Sequence, residues 1–147
     1  MQKVLYRGKV KSNDEYSNKW VQGYYVKLTD FRRFSHRIYS FSAITDGDDF
    51  YPDFFEVDPE TVGRCSFLRD DLQRDMFEGD IICIYTQSSI KGKVCFGEYT
   101  EVDGSPQMGF YVKWVGDYSE TLRNSLAYWA TTDNITIIGN IYDNPEL

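Results

Sequence analysis

From Glu78 onward, short apolar runs alternate with turn residues, a pattern that an antiparallel sheet satisfies better than any helical arrangement. Glu78-Gly79-Asp80 reads as a tight turn entering IICIY at 81–85, a strand apolar on both faces. KGKVCFGEY at 91–99 is a second strand, Asp103-Gly104 marks a hairpin, and MGFYVKWV at 108–115 returns. In the return strand Phe110, Val112 and Trp114 share one face, while Tyr111 and Lys113 take the other. SETLRNSLAYWA at 119–130 reads as a helix with Ser119 as N-cap and Leu122, Leu126 and Trp129 as its apolar stripe. ITIIGNIY at 135–142 closes the series, and Asn144-Pro145 stops it because proline brings no N–H to a ladder. Four strands, short turns and one helical excursion suit a small curled barrel of the SH3-like kind.

The first half reads as hairpins. KVLYRGK at 3–9 and KWVQGYYVKL at 19–28 are strand-like, separated by the polar SNDEYSN, with Gly23 marking a bulge. TDFRRFSHR at 29–37 is expected to be a loop, and IYSFSAI at 38–44 alternates as a strand. Asp46-Gly47 signals a hairpin whose return strand covers 49–57, with Pro52 suiting an edge. VDPETVG at 57–63 is a turn set by Pro59. At 66–76 two readings stay open: a short helix capped by Ser66, with Leu68, Leu72 and Met76 on one face, or a hairpin. The expected fold is mainly β, α+β at most: N-terminal β-hairpins, then a C-terminal SH3-like small β-barrel with one or two short helices. One domain spans 1–147, with an N-terminal β part at 1–63 and a barrel part at 64–147.

With 147 residues the chain can bury a core without staples. Its 12 Tyr, 10 Phe and 3 Trp favour sheet, and they exceed what a lone β domain must bury, so some are expected to serve contacts. A net charge of −7 works against phosphate backbones and favours a basic partner. Cys65, Cys83 and Cys95 form no C-x-x-C pair, so neither a disulfide framework nor a zinc site is expected. No secretion leader or membrane span is evident, which makes the cytoplasm the expected location.

Candidate chemistry is sparse. Asp46, Asp48, Asp49 and Asp53 fail the calcium-loop template, whose sixth and twelfth positions are here Tyr51 and Val57. Glu78 and Asp80 read as turn residues around Gly79 rather than an acid–base pair. His36 is the single histidine. Cys83 and Cys95 read as inert core thiols and Cys65 as the freer one, without an activating neighbour. FRRFSHR interleaves Arg32, Arg33 and Arg37 with Phe31 and Phe34, a pattern able to pair phosphates and stack bases.

Three blocks, in order, resemble the YopX family of phage and prophage proteins: LYRGK at 5–9 with KWVQGY at 19–24; VDPETVG at 57–63 leading to MFEGDII at 76–82; and IIGNIYDNPEL at 137–147. The sequence departs from the family pattern at 65–75, where CSF and DDLQRD replace a tyrosine-threonine-glycine step and an asparagine-glycine turn. The resemblance implies a phage or prophage origin, the bacterial host cytoplasm and a mostly β fold. It carries over no catalytic residue, no metal and no cofactor. The expected role is a non-enzymatic protein-binding or self-assembling module whose partner is itself or a host or phage protein. The alternative is a nucleic-acid-binding accessory protein using Phe31, Arg32, Arg33, Phe34 and Arg37.

Overall fold

A computed structural model describes residues 4–11, 18–30, 33–40, 54–116 and 119–147, with the backbone alone for Asp30, Arg33, Phe34 and Ser40. The structure is mostly β and divides into two compact units, Met1–Arg64 and Cys65–Leu147.

The first unit holds strands β1 (Tyr6–Lys9), β2 (Trp20–Asp30), β3 (Arg33–Ser40) and β4 (Phe54–Glu56). They run antiparallel in the order β4-β3-β2-β1, and Gly63 and Arg64, which open β5 (Gly63–Arg69), pair with the free side of β1. Val10, Ile38, Phe55 and Val57 form the core, with Val21 and Tyr25 packed against it from one face of β2. A short 3₁₀ turn at Pro59–Thr61 follows, where the buried Thr61 hydroxyl accepts the Lys9 N–H at 2.9 Å.

Within the expected loop at 29–37, the described residues, Thr29, Asp30 and Arg33–Arg37, are strand instead. β2 and β3 stay paired from Gly23–Ser40 out to Asp30–Arg33. Lys27, Leu28 and Thr29 are exposed, so this end of the ribbon buries neither face and leaves no apolar alternation to read. Gly23 sits in register with Tyr6 on one side and Ser40 on the other, so the bulge expected there does not form. The Asp46-Gly47 hairpin lies outside the described residues. Of its return strand, the described part, β4, pairs with β3 through Phe54–Tyr39 and Phe55–Ile38.

In the second unit β5 and β6 (Asp75–Phe77) form a hairpin, which decides the reading of 66–76 against a helix. Its turn is built on Asp70, whose Oδ1 accepts the backbone N–H of Leu72 and Arg74 at 3.1 and 2.8 Å. A side chain that satisfies backbone donors locally competes with helix formation. Strands β7 (Asp80–Ile84), β8 (Gln87–Thr100), β9 (Pro106–Val115) and β10 (Ile135–Asn140) make an antiparallel sheet in the order β10-β7-β8-β9. Ile82, Val94, Val112, Trp114 and Ile135 from the sheet enclose a core with Met76 and with Leu126 and Trp129 of helix α1 (Leu126–Thr132). Each such fully buried aliphatic side chain contributes about 1.5–3 kcal/mol.

The helix is shorter and later than expected. Ser125, not Ser119, caps it by accepting the Tyr128 N–H. The preceding residues spend their backbone groups sideways: the Arg123 carbonyl accepts both indole N–H groups, from Trp114 and Trp129, and Asn124 bonds β9. Those bonds are incompatible with a helical turn at 119–124. The last strand ends at Asn140, two residues early, because the Asn140 side-chain oxygen accepts the N–H groups of Tyr142 and Asp143 and turns the chain.

Both edges of this sheet are partly covered. Along β10, the Ile137 N–H donates to Asp70, and Asp71 and Arg74 donate to the Ile135 and Ile137 carbonyls. Along β9, Val112 and Asn124 exchange two bonds. Opposite glycines, Gly97 and Gly109, both take positive φ of 146° and 148°, which only glycine adopts readily. They bend the β8–β9 hairpin. Pro106 stands six residues from Val112, about 20 Å along a straight strand, yet Glu101 at the same end bonds the Asn124 that touches Val112. Among the described residues, no helix is long and apolar enough to cross a membrane.

Candidate functional site

Strand alternation gives the β8–β9 ribbon two faces. Val94, Val112 and Trp114 turn into the core, and Lys91, Lys93 and Lys113 alternate with them on the opposite face. Lys93 lies directly across from Lys113, and Lys91 across from Val115. The three lysines line a groove of about 430 Å³ with Ile81, Val115, Ile141 and Leu147 as its apolar walls. Gly92, between two of the lysines, is needed for packing: a Cβ there would overlap Val112 and lie 2.9 Å from the Trp114 ring.

The electrostatics of the groove are anomalous for this chain. Residues 65–147 contain six basic and thirteen acidic residues, so they carry the whole of the −7. Their three arginines are engaged: Arg74 pairs with Asp70 at 2.8 Å, Arg69 with Asp75 at 3.3 Å, and Arg123 lies 4.9 Å over the Tyr128 ring. Lys91, Lys93 and Lys113 are all the lysines of this stretch, and all line the groove. Among the described residues, no carboxylate forms an ion pair with any of them. Like charges directly opposite on a sheet are destabilising by several tenths of a kcal/mol, roughly.

Beside the lysines on this face stand Cys83 and Cys95. Burial pushes both thiols up; Asp71 adds to the effect at Cys83, and the neighbouring lysines only partly offset it. Neither is an activated nucleophile. Cys65, expected to be the freer thiol, is buried because β5 turns it inward against β6, and Cys95, expected in the core, is half-buried on the groove side. His36 hydrogen-bonds Tyr25 through Nδ1 at 2.6 Å, with the two rings stacked.

Of the acidic pair at 78–80, Asp80 has a structural contact. Asp80 is buried and accepts the Phe77 N–H at 2.8 Å, while Gly79 takes φ of 91°. Glu101, also buried, accepts the N–H groups of Val102, Asn124 and Ser125. Burial opposes its ionisation, but these donors and Arg123 outweigh it and hold the carboxyl below its ordinary range. Asp46, Asp48, Asp49 and Asp53 lie outside the described residues. Among the described residues, no three His, Cys, Asp or Glu side chains gather as a metal set.

Of the 31–37 basic segment, Phe31 and Arg32 lie outside the described residues, and Arg33 and Phe34 are placed by backbone alone on β3. Arg37 is occupied: its guanidinium lies 4.1 Å over the Phe54 ring and its Nε donates to Ser35. The lysine groove was missed in sequence because its pairing depends on register. A two-residue turn at Asp103-Gly104 would set Lys93 against Trp114; the actual loop, closed by the Thr100–Pro106 pair, sets it against Lys113.

Among curated proteins no match to the sequence was found. The family model described as YopX protein matches residues 5–147, nearly the whole chain, and the protein therefore belongs to the YopX protein family.

Proposed function

We propose that this protein is a non-enzymatic binding module, and that its site is the lysine groove on the outer face of β8 and β9. The occupant is an acidic polypeptide segment carrying aliphatic side chains, from a protein of the phage or its bacterial host or from a copy of the chain itself. One observation carries the reading: three lysines without carboxylate partners among the described residues are gathered in an apolar-walled groove of a unit otherwise rich in acid. Like-charged lysines set directly opposite one another repel, and an anionic partner relieves that repulsion. The aliphatic walls ask for a ligand with apolar groups, which a bare inorganic anion lacks. The lining contains no aromatic ring on which bases could stack, and the −7 charge opposes a phosphate backbone, so polypeptide is favoured over nucleic acid.

The test is fluorescence polarisation with a short labelled peptide alternating glutamate and leucine. Binding weakens with added salt and falls by about tenfold or more in K93E/K113E. No binding at low salt refutes the reading. Tighter retention of single-stranded DNA than of the peptide, lost in the same variant, would overturn it in favour of nucleic-acid binding.

A further inference from the structure

We infer that the occupant of the groove is the β8–β9 hairpin end, residues 97–109, of a second copy of this chain, so that copies assemble head to tail. The inference rests on the groove being a site for acidic segments. The hairpin end exposes the carboxylates of Glu98 and Asp103 and carries no lysine or arginine; its third acid, Glu101, is buried. It exposes Met108 at 65% and Val102 at 45%, values high for apolar side chains, and Met108 stands directly across from Glu98. Two apolar groups among carboxylates match aliphatic walls set among lysines, in sign and in kind.

The approach is also open. The outer edge of β9 is bonded at Val112, but among the described residues nothing pairs with it along Pro106–Phe110. The hairpin cannot reach its own groove. Glu101 ties its tip to Asn124 and Ser125, next to Arg123, whose carbonyl receives the core indoles of Trp114 and Trp129. The tip is therefore held on the core side of the ribbon, whereas the lysines stand on the other face. Two complementary patches that cannot meet within one molecule produce a heterologous contact, which closes into a ring or continues as a chain.

The test is absolute mass by light scattering across a concentration series, on the intact chain and on two charge-reversed variants, K93E/K113E in the groove and E98K/M108K on the exposed hairpin. The wild type rises above its 17.2 kDa monomer mass with concentration. Each variant stays monomeric, and their equimolar mixture assembles again, because the reversed hairpin of one fits the reversed groove of the other. A wild type monomeric at every concentration, a single variant that assembles like the wild type, or a mixture that stays monomeric while the wild type assembles would each overturn the inference. The labelled glutamate–leucine peptide, run on the same samples, separates the two readings. Peptide binding by a strictly monomeric wild type overturns only the second copy as occupant, whereas absent peptide binding removes the groove as a site.

Discussion

Replacing Asp70 with asparagine tests how the second unit holds its edge strand. The carboxylate is 1% exposed. Its Oδ1 accepts the N–H groups of Leu72 and Arg74, and its Oδ2 accepts Ile137 N–H at 3.0 Å and the Arg74 guanidinium at 3.0 and 2.8 Å. Asparagine keeps one acceptor oxygen and presents an NH₂ where the other stood, so donors face donors at Ile137 and Arg74. Leaving the Ile137 N–H unsatisfied costs about 1–3 kcal/mol. The guanidinium is half exposed and regains water, so its lost pairing adds no more than about 1 kcal/mol. The sum, about 1–4 kcal/mol, lowers the urea midpoint by about 0.5–2 M at a slope of about 2 kcal/mol per M. Burial opposes ionisation of Asp70, but the Ile137 and Arg74 donors outweigh it and hold the carboxyl below its ordinary 3.8. Its contribution is therefore complete above that value and lost as pH falls through the lower folded value, so wild type and D70N converge on acidification. A midpoint unchanged at neutral pH, or a gap that persists under acid, would refute this account of the hairpin.

Other outcomes follow from the same structure. Glu101→Gln, which weakens the acceptor for Asn124 and Ser125, lowers stability by about 1–3 kcal/mol and exposes the tip of the β8–β9 hairpin to hydrogen exchange, read by mass spectrometry. Gly92→Ala forces a methyl against Val112 and Trp114 and costs about 1–3 kcal/mol by thermal melting, with the Trp114 fluorescence changed. Double replacement of Gly97 and Gly109 by alanine strains both positive-φ positions and lowers the melting temperature, although neither Cβ would meet an atom within 4 Å. In the native protein Cys83 and Cys95 react with Ellman's reagent no faster than an ordinary thiol; rapid reaction of either would contradict the raised thiols described for the groove face.

The C-terminal sheet was legible because each of its strands buries one face or two. IICIY announces β7, and the alternation of Phe110, Val112 and Trp114 announces β9. Legibility failed where burial stops deciding. The β2–β3 ribbon at Lys27–Thr29 is exposed, so its strands carry no apolar signal. The start of α1 was misplaced because Leu122 continues the helical stripe into the core, while the Arg123 carbonyl and Asn124 are claimed by indoles and β9. Contacts of that kind join residues distant in sequence, and no local pattern encodes them. The groove lies between these cases. The strand at 91–99 was legible, but the meeting of Lys91 and Lys93 with Lys113 depends on a register set by the length of the 101–105 loop.

The central claim is that Lys91, Lys93 and Lys113 form a site for acidic, aliphatic polypeptide. Amide chemical-shift mapping with the glutamate–leucine peptide tests it most directly. The account predicts titrating shifts concentrated at residues 91–93, 113–116 and Ile141, absent in K93E/K113E. Shifts scattered over the molecule, or centred on β3 around Arg37 with the groove silent, would contradict it.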